Sequence, residues 1–337
     1  MREEIERDMR SNETNHPEIT VIIPTRNRAE VLKETLNSLV SQDTNANWEL
    51  LLVDNGCIDD TRQVAASFAS RLPLKILFEG TPGKSRALNR ALGVASGRLI
   101  AFTDDDVRVS PSWISELLRA ADVYPDGVVF CGPIIPVFPP ATPLWLREHG
   151  FANAAFANFA PAASEGILMP PTTPYGPNFA VRADHCLKMQ FRVDLGPSIN
   201  GSFMCEDTEF IERFRQLGVP FIYLPSAAVH HQIRCELISF ASLYDRAFYL
   251  GRSRLIAGME LLDLKTFEFS SIPEIFQFER NVISNLFLGQ LCQSENFKDL
   301  EQSQIIRKSI EEIGWHIDPS FLGKSASEWL SARRLAL

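Results

Sequence analysis

Short apolar runs alternate with helical patterns over the first hundred residues, each ending in a polar cluster. Ile19–Ile23 (ITVII) is a β-branched run with the length of a buried strand. It stops at Pro24-Thr25-Arg26-Asn27, and a helical pattern follows over about Ala29–Ser41. Glu49–Val53 (ELLLV) predicts the next strand, ending in Asp54-Asn55-Gly56. Asp59-Asp60-Thr61 opens a helix to about Ser70, with acids where the helix dipole favours them. Leu74–Phe78 predicts a third strand, Gly83–Ala95 a third helix, and Arg98–Phe102 a fourth strand that runs straight into Asp104-Asp105-Asp106. Strand and helix at this spacing mean βαβ units and a mainly parallel sheet. Ligands of such sheets sit beyond the carboxyl ends of the strands. The clusters PTRN, DNG and DDD all fall there.

The pattern changes over Gly132–Pro177, which holds ten prolines, an Ala/Phe-rich segment and Trp145. This reads as an excursion with short helices that forms one wall of the site. Order returns with a short strand at Asn178–Arg182, a helix over Glu206–Leu217 ended by Gly218, and short strands at Phe221–Leu224 and Ala227–His230. From about Glu236 onward amphipathic stretches near 236–262, 273–293 and 301–313 predict a helical extension.

Composition narrows the classes. A chain of 337 residues, 45% hydrophobic and 22% charged, builds one large α/β domain with an extension or two small domains. Its 33 basic and 42 acidic residues give a formal charge of −9, against a protein that grips nucleic acid by neutralising phosphates. The six cysteines form no CxxC pair, which fits a reducing compartment. The acidic start MREEIERDMR is no signal peptide, and no apolar run approaches the roughly 18 residues of a membrane helix. A cytoplasmic location is expected. Arg307, Lys308, Arg333 and Arg334 are too scattered to make the tail a membrane-lying helix. A buried helical subdomain or a homodimer contact through these helices fits better, and peripheral membrane association stays open.

Three adjacent carboxylates after a buried strand repel one another unless water or a cation relieves them. Asp104-Asp105-Asp106 therefore reads either as a solvated acidic turn or as a site for Mg²⁺ or Mn²⁺. Asp54 and Asn55 stand where a ribose or base can be met, or where an Asx turn closes a strand. Gly83-Lys84-Ser85 lacks the upstream glycine of a phosphate loop, since that position is Phe78. Lys84, Arg86 and Asn89 can still meet a diphosphate near a helix start. Glu206-Asp207 opens a helix and reads as capping chemistry or as a general base. His230-His231 follows an apolar run, and either imidazole can be structural or complete a metal site.

The ordered set ITVIIPTRNR, LLVDNG, GKSRALNRAL, IAFTDDDV, YGPNFAVRAD, CEDTEFIERFRQLG and AVHHQI resembles the family 2 glycosyltransferases of the GT-A fold, over roughly residues 18–260. The resemblance implies an α/β, Rossmann-like domain at 18–235 between an arm at 1–17 and a helical extension at 236–337. Its nucleotide-binding half is 18–130 and its acceptor-binding half 131–235. It implies an inverting enzyme that uses Mn²⁺ or Mg²⁺, a nucleotide-sugar donor, commonly UDP-linked, and a saccharide, glycolipid or other hydroxyl acceptor. By the same resemblance Pro24, Thr25, Arg26 and Asn27 form the first nucleotide loop. Asp54, with Asn55 beside it, is similar to the carboxylate that contacts the base, and Arg86 to the basic residue near base and phosphates. Asp104 and Asp106 are the DxD pair with Asp105 between them, and Asn178 lines the donor-sugar and acceptor pocket. Asp207 is the catalytic base, Glu206 shapes the acceptor site, and His231 is a further metal or diphosphate contact. Gly56-Cys57 departs from the Gly-Ser that many members carry. A lipid-phosphate acceptor, a nucleotidyltransferase and a non-catalytic binding module are the competing readings.

Overall fold

The computed structural model describes residues 16–199, 201–259 and 270–296. The predicted alternation opens the chain: β1 (Ile19–Thr25), α1 (Ala29–Val40), β2 (Trp48–Asp54), α2 (Thr61–Ala66), β3 (Leu74–Phe78), α3 (Lys84–Leu92) and β4 (Leu99–Phe102). Shorter pieces follow as β5 (Val107–Val109), α4 (Trp113–Val123), β6 (Val129–Cys131), β7 (Ile134–Val137), α5 (Leu144–Glu148) and α6 (Gly150–Ala155). Then come β8 (Gly166–Ile167), β9 (Phe179–Arg182), α7 (Ala183–Cys186) and the hairpin β10 (Pro197–Ser198) with β11 (Gly201–Ser202). The described chain closes with α8 (Glu206–Gln216), β12 (Phe221–Tyr223), β13 (Val229–Gln232), α9 (Phe240–Ile256) and α10 (Pro273–Asn296).

One sheet has eight strands in the order β3-β2-β1-β4-β9-β6-β12-β8. β1 pairs in parallel with both β2 and β4, so it is central and every one of its residues is buried. That is why ITVII reads as a continuous apolar run instead of alternating. β3 is an edge strand and half exposed. The chain winds from β1 outward to β3, then returns to the other side of β1 as β4. This reversal is the topological switch point where open α/β sheets bind ligands. β9 enters antiparallel between β4 and β6, so the second half of the sheet is mixed.

A second sheet, β5-β13-β7, lies beyond the end of β4. The triplet Asp104-Asp105-Asp106 is the hand-off between the two sheets. Its backbone is held there by Thr35, whose hydroxyl donates to the Asp105 carbonyl at 2.8 Å and accepts from Val107 N at 3.1 Å.

The chain divides into two compact units, residues 1–193 with 206–234, and residues 194–205 with 235–337. Segment 194–205, expected inside the first domain, thus groups with the helical unit. Within that unit α9 and α10 pack with almost no gap. A Cβ on Gly251 would sit 2.0 Å from Leu286 O, and one on Gly289 1.9 Å from Phe248 O, so only glycine allows the approach. The stretch expected near 301–313 lies outside the described residues, as does the arm at 1–15.

Candidate active site

The site is built at the carboxyl ends of β1, β2 and β4, and at the start of α8. An aromatic cluster fixes these ends relative to one another. Phe102 of β4 stacks on Phe179 of β9 at 4.6 Å, and Phe191 stacks on Phe210 of α8 at 3.9 Å. Edge contacts of Phe102 with Phe191 and Phe210 close the group. Two residues beyond Phe102 stands Asp104, and one turn before Phe210 stand Glu206 and Asp207. The core thereby presents both acid clusters to one recess, lined by Lys84, Thr103, Asp104, Gly176 and Asp207.

Lys84 is the hub of that recess. Its Nζ lies 2.8 Å from Asp104 Oδ1 and 3.2 Å from Glu206 Oε1. Burial works against its charge, but Asp104, Glu206 and Asp207 hold the ammonium well above the usual lysine range. Burial likewise opposes ionisation of Asp104, yet Lys84 holds it below the usual carboxylate range. Glu206 is driven the other way: burial, with the neighbouring Asp207 charge, pushes it up to about 7 against the pull of Lys84. Lys84 is aimed by Asn55, whose amide ties the end of β2 to the next loop. It donates to Glu79 O and Thr81 O and accepts from Gly83 N at 2.7 Å.

Asp207 is held differently. Its Oδ2 accepts from Gly176 N at 2.5 Å and its Oδ1 from Thr208 N at 2.7 Å. A Cβ on Gly176 would lie 2.6 Å from Asp207 Oδ2, so glycine is what lets the backbone come this close.

Asp106 faces the second sheet. His231 Nε2 lies 3.5 Å from Asp106 Oδ1, and Arg28 lies 3.6 Å from Oδ2. His231 Nδ1 is 2.9 Å from the Phe156 carbonyl, which can only accept, so Nδ1 carries the hydrogen. In the neutral ring Nε2 is then a lone pair aimed at a carboxylate oxygen. Two acceptors facing one another call for a proton or a metal cation between them, and a backbone-anchored imidazole is the usual support of a metal ligand. Among the described residues no three His, Cys, Asp or Glu side chains form a ready-made cage. Asp106 and His231 are two donors, a set that fits a hard ion taking its remaining ligands from phosphate and water. Asp105 is turned inward. Burial, then the Asp106 charge, pushes it up to about 7.

The sequence pattern described as Glycosyl transferase family 2 matches residues 20–175. The succinoglycan biosynthesis protein ExoM of Rhizobium meliloti is 30% identical over 254 residues, covering 73% of this chain and 77% of that protein. The chain belongs to glycosyl transferase family 2. This family 2 glycosyltransferase is also 37% identical over 111 residues to validoxylamine A glucosyltransferase of Streptomyces hygroscopicus subsp. jinggangensis. That match spans 32% of this chain and only 26% of the relative. Among solved structures, TarS 1-349 of S. aureus superposes with a TM-score of 0.54 at 17% identity, over 89% of this chain and 93% of that one. The mannosyltransferase PcManGT from Pyrobaculum calidifontis, in complex with GDP-Man and Mn²⁺, gives 0.51 at 20% identity, over 90% and 82%. These likenesses show the GT-A fold.

Within this glycosyltransferase the expected residues are not all placed alike. Lys84, Asp104, Glu206 and Asp207 converge, and Asp106 meets His231 across the sheet hand-off. His230, one residue along β13, is paired through the backbone with Arg108, and its side chain points to the opposite face of the strand. Pro24 and Thr25 close β1 and are buried, while Arg26 stands exposed beside the site. Asn27 braces the loop by accepting from Ile58 N at 2.8 Å. Arg86 is exposed on α3.

Three of the expected contacts carry internal bonds of the fold. Asn178 is fully buried. Its amide accepts from Trp113 Nε1 and donates to Pro133 O and Ala227 O, so it braces the sheet behind the site. Asn89 exchanges two hydrogen bonds with the Phe191 backbone and so sets the aromatic cluster. Asp54, 2% exposed, accepts from Cys57 N and from Arg62 Nε at 2.7 Å. Burial opposes its ionisation, but these donors hold it below the usual carboxylate range. Arg62, Arg28 and Gly176 went unread in the sequence. Arg28 opens α1 directly behind the PTRN loop and Arg62 lies in the first turn of α2, so both helix starts carried the signal.

Proposed function

We propose that the chain transfers a hexose from a nucleoside-diphosphate sugar, UDP-linked, to an acceptor hydroxyl with inversion at the anomeric carbon, using Mn²⁺ or Mg²⁺. The observation that carries this reading is Lys84 joining Asp104, at the end of β4, to Glu206, beside Asp207, in one recess. The printed role of the ExoM relative in succinoglycan biosynthesis supports a place in polysaccharide or glycoconjugate assembly. Complexes of distant structural neighbours with UDP-GlcNAc and with GDP-Man and Mn²⁺ support the donor class and the metal.

Asp106 and His231 would hold the divalent ion, which when bound supplies charge neutralisation for a departing diphosphate. Lys84, with exposed Arg26 and Arg86 around it, adds positive charge on the donor side. Asp207 stands as the general base. Gly176 N and Thr208 N fix its carboxylate, which accepts the proton of the acceptor hydroxyl as that oxygen bonds to the anomeric carbon. The bond to the diphosphate oxygen breaks, and its electron pair leaves with the diphosphate. Asn55 and Asn89 position Lys84 and the aromatic floor.

Incubation with UDP-sugars and Mn²⁺, water serving as a slow acceptor, tests the reading. Release of UDP with a sugar product of inverted configuration by NMR is expected. Pyrophosphate release would make the chain a nucleotidyltransferase, and a retained configuration would remove Asp207 as base.

A further inference from the structure

A second depression lies in the same unit. It is an open cleft of about 500 Å³, lined by Asn158, Phe159, Ala160, Thr172, Tyr175 and Thr208 among others. That volume suits a small-molecule site, for which roughly 300–1,000 Å³ is usual. The cleft shares its inner wall with the recess. Tyr175 and Thr208 face the cleft, and their chain neighbours Gly176 and Asp207 face the recess. The partition between the two is thus the pair of segments whose hydrogen bond, Gly176 N to Asp207 Oδ2, orients the base.

The lining chemistry restricts what can enter. None of the cleft's lining residues is Asp, Glu, Lys, Arg or His. Behind the lining stand the Asp207 carboxylate, which accepts from Thr208 N and Oγ1, and Glu212, which accepts from Thr173 Oγ1 at 3.4 Å, against one cation, Arg215, whose Nε lies 3.9 Å from the Glu212 carboxylate. A phosphate or carboxylate would enter without a counter-charge and lose hydration uncompensated. A bare hydrocarbon chain would offer nothing to the amide oxygen of Asn158 or the hydroxyl of Thr172. A sugar ring matches both parts of the lining: hydroxyls for the amide and threonines, and C–H faces for Pro161, Pro171 and the Tyr175 ring. Tyr175 is fixed for this by an edge contact with Phe159 at 5.9 Å.

We propose that this cleft seats the acceptor as a neutral saccharide unit, with one hydroxyl presented past Tyr175 and Thr208 to Asp207. The inference rests on Asp207 being the base, and it adds the acceptor's chemical class, excluding a phosphate as the group recognised here. The test is saturation-transfer NMR of the full chain with UDP and Mn²⁺. The probes are cellotriose, laminaritriose, maltotriose and lactose, set against trigalacturonate and farnesyl phosphate. At least one neutral saccharide is expected to receive saturation and the two anions none. Ala160→Trp, which fills the cleft from an exposed position, should weaken that binding about tenfold or more. Thr172→Tyr should do the same from the other wall. In both variants the melting-temperature rise given by UDP with Mn²⁺ should persist, which certifies the fold and the donor side. Binding of either anion in preference to every neutral probe overturns the proposal. So does neutral binding that both filled variants leave unchanged, or no neutral binding while the UDP response is intact. Loss of the UDP response in the wild-type chain would instead sink the donor reading.

Discussion

The two acid clusters of this site, the triplet Asp104-Asp105-Asp106 and the pair Glu206-Asp207, solve the same problem in different ways. Adjacent carboxylates repel, and the fold must relieve each cluster. The triplet is relieved by side-chain cations: Lys84 at Asp104 and Arg28 at Asp106. Its third member, Asp105, is buried and pushed up to about 7. In the pair, Glu206 leans on Lys84 and is likewise pushed up to about 7, while Asp207 is fixed by two backbone amides. Side-chain cations on long stems can swing aside when a metal and a diphosphate arrive. Backbone amides cannot, so they suit a group whose direction must hold through the reaction. On the proposed mechanism the triplet would exchange its cations for a metal, and the pair would hold the base fixed.

The sharpest way to break this contrast is Asp207→Asn. Turnover should fall by about 10²–10⁴-fold, the usual contribution of a general base, with donor binding by thermal shift unchanged. Near-full transfer by the variant would remove Asp207 from the chemistry. Lys84→Met leaves two buried carboxylates without their shared cation. Breaking such a pair costs about 3–5 kcal/mol, read as a lower denaturation midpoint, and added Mn²⁺ should recover part of the loss. A midpoint indifferent to this change would mean that Lys84 holds nothing together. Gly176→Ala must displace the Asp207 carboxylate, because the new methyl would sit 2.6 Å from Oδ2. It should lower kcat well over tenfold (about 1.4 kcal/mol) while the donor response stays.

The smallest effect is on pH dependence. Glu206 is raised from 4.5 to about 7 on folding, so between these values the folded state holds a proton that the unfolded state has lost. Stability therefore falls as pH rises through that window. Asp105 adds to the same slope from its ordinary 3.8 upward. Glu206→Gln should flatten the melting-temperature profile between pH 4.5 and 7. An unchanged profile would mean that Glu206 ionises as freely as in water.

The first half of the fold was legible because its strands are buried on both faces. β1, β2 and β4 therefore give unbroken apolar runs, each ending in a polar cluster at the switch point. The second half was legible in part: the strands expected at Asn178–Arg182 and Phe221–Leu224 and the helix at Glu206–Leu217 appear as β9, β12 and α8. β5, β6 and β8 have two or three residues each and carry no period, and β13 (VHHQ) is polar because it faces the site. Of the small sheet that delivers His231 to Asp106 only β13 was expected, as a strand over Ala227–His230 that lies at Val229–Gln232, and both residues were named. α2 ends at Ala66 and α3 at Leu92, short of the expected Ser70 and Ala95, since the last turns there are loose. Asn178 was expected beside the donor-sugar and acceptor pocket from the family resemblance of the GPN stretch. Its three internal bonds depend on Trp113, Pro133 and Ala227, partners that sequence spacing does not bring together.

The claim on which the rest depends is that Asp106 and His231 hold a divalent ion against a diphosphate. A thermal-shift panel of UDP, GDP and their sugars, with and without Mn²⁺, tests it directly in the wild type and in Asp106→Ala and His231→Ala. The account predicts a nucleotide-induced rise in melting temperature that needs Mn²⁺ in the wild type and is lost in both variants. An equal rise without metal, or a Mn²⁺-dependent rise that both variants retain, would contradict it.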